Sequence, residues 1–394
     1  MSSTKILLWA VATLLAGSGC TRYQAPCTVG EPKTLTTIAA TYAGSLRMGL
    51  LSEDRVSLLR VQSGSELQIN GWTKSTEGTT VDAMIFNRHG AVSMRHQVIP
   101  GLLLSDLSWD PLQSAAWLGD ALAVLSTQVG FIVDSQGGRQ NSRQLQVHIY
   151  DERGLRAGPI VITACADCTL SATVRSVGDE ALVVFRRLGD NQEDRRTSWV
   201  AVGAEGAIRA VGTLGELAAD ETIDVLRFNA SQREDAIFIP TSNDRVWLAD
   251  NRFRRLTAPL TAPLFDEWDW DLAGARIARA WIASPYTNRD ILTTQVGFGG
   301  QELLAEDRIS TGSGIVAMAT ASELVGVVLL RDDKSWFVAR GSDGAKLGGD
   351  IPFDSRPLAG ALVPTGASSF LLYTVEHLDP DEFALQSRTM ECHP

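Results

Sequence analysis

The sequence predicts an all-β protein, a seven-bladed β-propeller of four-stranded blades closed by an N-terminal strand, on three observations. Helical periodicity is almost absent, and short β-rich runs alternate with clusters of Gly, Asp, Asn and Ser. A hairpin recurs in which an aromatic or aliphatic strand turns at a glycine. A denser apolar run precedes each hairpin and returns at a nearly constant interval.

The hairpin is clearest at Met84–Gly90, Val147–Gly154, Trp199–Gly206 and Trp336–Gly344, with weaker copies at Trp247–Arg252 and Val296–Gly300. Glycine supplies the positive φ that a tight hairpin needs. The apolar runs are Val56–Val61, Ala121–Leu125, Ala181–Phe185, Ala236–Ile239, Ala280–Ala283, Leu324–Leu330 and Phe370–Tyr373. An unbroken apolar run implies a strand buried on both faces. Leu145–Ile149 instead alternates, as a strand with one wetter face should, and makes His148 a half-buried structural residue. Between Leu58, Val124, Val184, Phe238, Ile282, Val327 and Leu371 the steps are 66, 60, 54, 44, 45 and 44 residues. Seven units of about 44 residues plus insertions match four-stranded blades.

The last unit is one strand short. After Glu382–Ser387 the sequence has room for a third strand and no fourth, while Thr34–Ile38 near the start has no blade of its own. Pairing the two closes the ring and removes an exposed edge. The organisation expected is a leader at 1–19, an anchor and linker at 20–33, and the propeller at 34–394. Closure also brings Cys27 beside Cys392. The remaining pair, Cys165 and Cys168, stands in a Cys-x-x-Cys that follows a strand and precedes no helix, so a structural staple is expected. A zinc site would need a second Cys or His pair at matching spacing, which the sequence lacks.

The fifth cysteine belongs to the leader. Lys5 precedes an apolar run, Ile6–Ala16, too short to span a bilayer and suited to the core of an export signal. Leu15-Ala16-Gly17-Ser18-Gly19-Cys20 follows. These positions resemble the lipobox of bacterial lipoproteins, with Gly17 standing where Leu or Val is commonest. The resemblance implies that Cys20 becomes the acylated (palmitate-bearing) first residue and anchors the chain in a membrane. Thr21 is not Asp, which by the same resemblance points to the outer membrane. An exported chain meets an oxidising compartment, consistent with paired cysteines.

Composition restricts the function. The chain has 394 residues, 35 basic against 46 acidic, and 44% are apolar. A net charge of −11 without a basic block argues against nucleic-acid binding. Gly-x-Ser-x-Gly, His-Glu-x-x-His and phosphate-loop motifs are missing, and the five histidines are scattered. No cofactor, metal or catalytic residue is therefore assigned.

Insertions point to a ligand face. In a four-stranded blade the connections from second to third strand, and from fourth strand to the next blade, emerge on the same rim. The long ones are Gln62–Thr79, which contains Trp72, then Thr127–Arg143 and Arg186–Arg196. Leu107–Asp110, with Trp109, and Phe265–Asp271 are read as connections between blades, so surplus length gathers on one rim. Candidate ligand residues are Trp72, Trp109, Asp266, Glu267, Trp268, Asp269, Trp270 and Asp271. Aromatic faces beside carboxylates suit sugars or cationic groups. Trp268 and Trp270, two apart, would share one strand face and could equally pack between blades. The four carboxylates lack the spacing and glycine of a calcium loop.

The expected function is a monomeric, lipid-anchored envelope propeller acting as a non-enzymatic binding scaffold for a protein or glycan. It resembles, in general terms, bacterial envelope lipoproteins with propeller domains, including outer-membrane assembly scaffolds. The alternatives are a carbohydrate-active or other hydrolytic propeller using Asp/Glu pairs near the channel, and a purely structural envelope component.

Overall fold

The computed structural model describes residues 27–393, apart from 40–44, 53–54, 63–65, 70–71, 76–78, 88–89, 100–114, 134–137, 152, 167, 189–196, 215–228, 231–235, 242–244, 251, 254–259, 262–267, 274–275, 283–289, 298–301, 344 and 380–381. Every element among them is a strand or turn. The strands form seven main antiparallel sheets in chain order, a number that fits seven blades.

Blade 1 comprises Ser45–Ser52, Arg55–Gln62, Thr79–Asn87 and Gly90–Ile99, and blade 2 comprises Ala115–Leu118, Ala121–Val133, Arg139–Asp151 and Gly154–Ala166. Blade 3 is Thr169–Val177, Glu180–Leu188, Thr197–Gly203 and Ile208–Thr213. Blade 4 is the smallest, with Asn229–Ala230, Ala236–Thr241, Arg245–Asp250 and Leu260–Thr261. Blade 5 holds Trp268–Ala273, Arg276–Ile282, Asp290–Gly297 and Glu302–Thr311. Blade 6 holds Gly314–Thr320, Leu324–Arg331, Lys334–Gly341 and Ile351–Phe353. Each is a simple meander, its first strand innermost. The recurrent glycine hairpin is the turn from third to fourth strand, and the apolar runs mark the second strand in all seven blades.

Blade 7 is built from both ends of the chain. Ala359–Pro364, Ser369–Asp379 and Glu382–Cys392 form its inner three strands. The outer position is filled by Cys27–Val29 and Lys33–Ala39, which pair end to end along Glu382–Cys392, from Cys27↔Cys392 to Ala39↔Glu382. Gly30 bridges the two segments, its N–H donating to the Thr389 carbonyl at 2.8 Å. A side chain at Gly30 would run into the Thr389 hydroxyl. The sheet thus takes in part of the stretch read as linker. The Cys27–Cys392 disulfide lies at its end.

Blades stack face to face. In blade 3, Ala181, Val183 and Phe185 pack against Ala123, Leu125, Val147 and Ile149 of blade 2, while Leu182 and Val184 of the same strand turn toward Ala249 of blade 4. Two faces, two cores: this is why the second strands lack polar alternation. Phe337, Phe370, Leu372 and Met390 fill the seam between blades 6 and 7. Val56 of blade 1 packs with Tyr373, Val375, Phe383 and Leu385 of blade 7 at the ring's closing seam. Completely burying one such side chain is worth roughly 1.5–3 kcal/mol.

The same stacking corrects the expectation for Leu145–Ile149. Its polar face is not wet: Gln146 and His148 are buried along with Val147 and Ile149. Both His148 ring nitrogens lack a hydrogen-bond partner, and burial pushes its imidazole below the usual histidine range.

Replacing Cys27 or Cys392 by Ser reopens a loop whose closure spans 365 residues, worth up to about 6 kcal/mol in the chain-entropy model and commonly less. The expected loss, read by urea unfolding, is about 3–5 kcal/mol. Replacing Cys165 and Cys168, only 3 apart, should cost about 2 kcal/mol or less.

Candidate ligand face

The meander fixes which connections share a rim. First and third strands run one way and second and fourth the other. Turns from first to second and third to fourth strand therefore lie on one rim, and the remaining connections lie on the opposite one. The second rim carries two paired excursions. Within the blade 1 connection, Glu66–Ile69 and Trp72–Ser75 form a separate hairpin with Trp72 opposite Ile69. In blade 2, Thr127–Arg143 is not the open loop expected: pairing continues from Gln128↔Gln144 to Val133↔Arg139. Val129, Phe131, Ile132 and Val133 are strand formers, so the chain extends the ladder instead of leaving it.

The rim is also braced by the Cys165–Cys168 disulfide, which ties the outer strand of blade 2 to the entry of blade 3. Surplus chain is less one-sided than the sequence implied. The connection from third to fourth strand of blade 6 turns at Ser342 and Asp343 on the other rim and runs back along the third strand, past the Arg340↔Lys346 bridge, to Ile351.

The expected site residues are divided by the fold. Trp109, Asp266 and Glu267 lie outside the described residues. Trp268, Asp269, Trp270 and Asp271 do not form a connection, as expected, but the start of the innermost strand of blade 5. Trp268 pairs with Trp281, Trp270 with Arg279, and Asp271 with Ala278. A Trp-Asp alternation has the two-residue period of a strand, and that period prevailed over the acidic, loop-like composition. The strand begins at the loop-bearing rim, so Trp268 stands at the mouth of the ring with Trp72 on the same side.

A cluster not anticipated from sequence sits where blade 5 meets blade 6 on this rim. Arg331 ends the second strand of blade 6, and its guanidinium lies 3.6 Å from the Trp336 ring centroid. Its Nη1 donates to Asp350 Oδ2 at 2.7 Å, and the Ser310 hydroxyl of blade 5 donates to the same oxygen. Lys346 Nζ donates to Asp350 Oδ1 at 2.6 Å. Burial works to raise the Asp350 carboxyl, but the bonds from Lys346, Ser310 and Arg331 and the charge of Lys346 prevail and hold it below the usual carboxylate range. Asp350 is an ionised anchor for two cations. Its parts come from positions 310, 331, 336, 346 and 350, which no local motif joins. The only local sign was the Arg-Asp-Asp-Lys turn at 331–334.

A second polar set lies between blades 6 and 7. The Glu376 carboxylate accepts from the Ser355 and Thr374 hydroxyls. Arg388, stacked on Phe353, donates to the Asp354 carbonyl at 2.7 Å. On the opposite rim Arg209 joins Asp179 and Glu205, and Arg252 binds Glu180 in two-pronged fashion across blades 3 and 4. Hydrogen bonds from Arg209 hold both Asp179 and Glu205 low. Among the described residues the carboxyls held below their usual range are Asp179, Glu205 and Asp350. Among the described residues no group of three or more His, Cys, Asp or Glu could hold a metal ion.

No protein-family model matches the sequence, and no curated protein matches it. Solved structures with a similar chain path include the β-propeller domain of Myceliophteria thermophila Cps50 (Swd1), 11% identical at a TM-score of 0.44 over 90% of this chain and 99% of that one. A chain of a mitotic checkpoint complex is 13% identical with a TM-score of 0.46, over 91% of this chain and 92% of its own. The WD40 domain of Toxoplasma gondii coronin is 10% identical with a TM-score of 0.44, over 92% and 88%.

Asp350→Asn should cost about 1–3 kcal/mol, because it leaves two cations facing a neutral amide. Lowering the folded-state pKa adds stability above the unfolded carboxyl's value and loses it as pH falls through the depressed one. The gap between wild type and variant in urea unfolding should therefore be full at pH 7 and shrink below about pH 3.8.

Proposed function

We propose that this chain is a lipid-anchored envelope propeller that works as a non-enzymatic binding scaffold, presenting its loop-bearing rim to a protein or glycan. The observation that carries the reading is the gathering of the paired excursions, Glu66–Ser75 and the Gln128–Gln144 arm, on the rim where the Trp268 strand begins. Repeat folds commonly bind through such a face. A stapled, covalently closed ring supports it rigidly.

Anchoring at Cys20 gives this rim an orientation. The outer strand of blade 7 enters at Cys27, beside Cys392, at the end of the third strand. That end belongs to the rim of short turns. A lipid on Cys20 would therefore hold the short-turn rim toward the bilayer and turn the loop-bearing rim away.

Photo-crosslinking side chains placed at Trp72 and at Asp343, one on each rim, test both parts in intact envelopes. The reading expects position 72 to give one discrete adduct with a protein or glycan and position 343 to give adducts with lipid. Cys20→Ser should move the chain from the membrane to the soluble fraction and abolish the lipid adducts. Unchanged membrane fractionation of that variant would overturn the anchoring. Lipid adducts at 72 would reverse the orientation.

A further inference from the structure

We infer that the outer strand of blade 2, Gly154–Ala166, is an acceptor edge, to which an extended segment of a partner protein adds as a fifth antiparallel strand, its C-terminal acidic end on Arg153 and Arg156. This deepens the binding reading by naming a second surface, on the flank of the ring, that reaches the loop-bearing rim only at its Cys165–Ala166 end.

Sheet edges are ordinarily blunted by charge, proline, brevity or cover, because bare N–H and C=O groups template further pairing. Outer strands elsewhere in this ring follow that rule. Blade 1 carries Arg95 and His96, blade 3 carries Arg209, and blade 5 carries Glu302, Glu306, Asp307 and Arg308. Blades 4 and 6 have outer strands of 2 and 3 residues, the latter with Pro352. The outer strand of blade 7 is tied down by its disulfide.

Blade 2 has such devices only toward the ends of its outer strand: Arg156, Pro159 and irregular pairing with Gln146–Tyr150 near its start, and the Cys165–Cys168 staple at its finish. Its outer strand has 13 residues, and the stretch Ala157–Ala166 contains no charge. Beyond Pro159, which lacks an N–H, Ile160-Val161-Ile162-Thr163 is a run of β-branched residues on an edge that no further strand pairs among the described residues. Val161 is 48% exposed there. The neighbouring outer strand adds apolar surface: Ile208 pairs with Val202 and Val211 with Val200, residues that face the core shared with blade 2. Ile208 and Val211 are nonetheless 49% and 67% exposed, so they border the cleft beside that edge. A strand added to blade 2 would lay alternate side chains over them.

Charge selects the occupant. Arg153 and Arg156 stand exposed where the strand begins, and among the described residues neither guanidinium has an ion-pair partner. The Arg153 N–H donates to the Asp151 carboxylate, a backbone bond that leaves its guanidinium outward. An antiparallel strand would bring its C-terminal end to these two cations, so the segment recognised is β-branched and apolar with a carboxylate-bearing end.

The test uses the purified chain and a labelled peptide of alternating valine and threonine ending in two glutamates, read by fluorescence anisotropy. Saturable binding is expected, at least tenfold weaker for a peptide ending in two lysines. N-methylation of alternate residues in one parity should weaken binding at least tenfold and in the other should change it little, as backbone pairing requires. Arg153→Glu with Arg156→Glu should invert the preference between the two peptides, and Val161→Lys, at a half-exposed position, should weaken both. Equal effects of the two methylation patterns, or indifference to the arginine reversal, would overturn the inference. So would a concentration-dependent dimer of the chain abolished by Val161→Lys, which would make a second copy the occupant. None of these readouts involves position 72, so the rim reading stands or falls separately.

Discussion

The pairing of the first strand with the last is the constraint on which the rest of the molecule depends. Without it, blade 7 would present the backbone of Glu382–Cys392 to solvent, and the seam against blade 1 would have one wall fewer. With it, the ladder from Cys27↔Cys392 to Ala39↔Glu382 converts an open row of sheets into a ring. The disulfide at its end removes the cheapest way of undoing that ring, which is to peel back a terminal strand.

Ring closure gives blade 7 a neighbour on its far side. Among the described residues blades 3, 6 and 7 are covered on both faces, so hydrophobic order alternates between two cores along one strand, as Val183 and Val184 do. The apolar runs in the sequence were for this reason reliable markers of second strands. The same property misled at His148, where a polar residue in an alternating strand reads as half-wet. Alternation reports a solvated face only when nothing stacks on it, and here both Gln146 and His148 are covered. Sequence pattern records the polarity of a side chain but not which neighbour lies over it.

The site was legible to a different degree. Spacing of hairpins located the rims, and the count of cysteines located both staples. Trp268–Asp271 was identified as unusual for sound chemical reasons yet assigned to a connection, since acidic composition outweighed its two-residue period. The Arg331–Asp350 cluster was legible only in its charged turn at 331–334. Its Ser310 comes from one blade and its remaining members from another, and only inter-blade stacking brings the hydroxyl to the carboxylate. Contacts across a seam leave no local trace in a chain whose units differ in length.

The closing ladder also bears on how the molecule is made. A ribosome releases Lys33–Ala39 well before its partner, Glu382–Cys392. Until that partner is made the outer strand has no edge of its own to pair with, and the contact it finally makes joins residues far apart in sequence, which slows closure. Until then its edge is a liability for mispairing. Vectorial synthesis thus sets a waiting time that the finished ring no longer reveals.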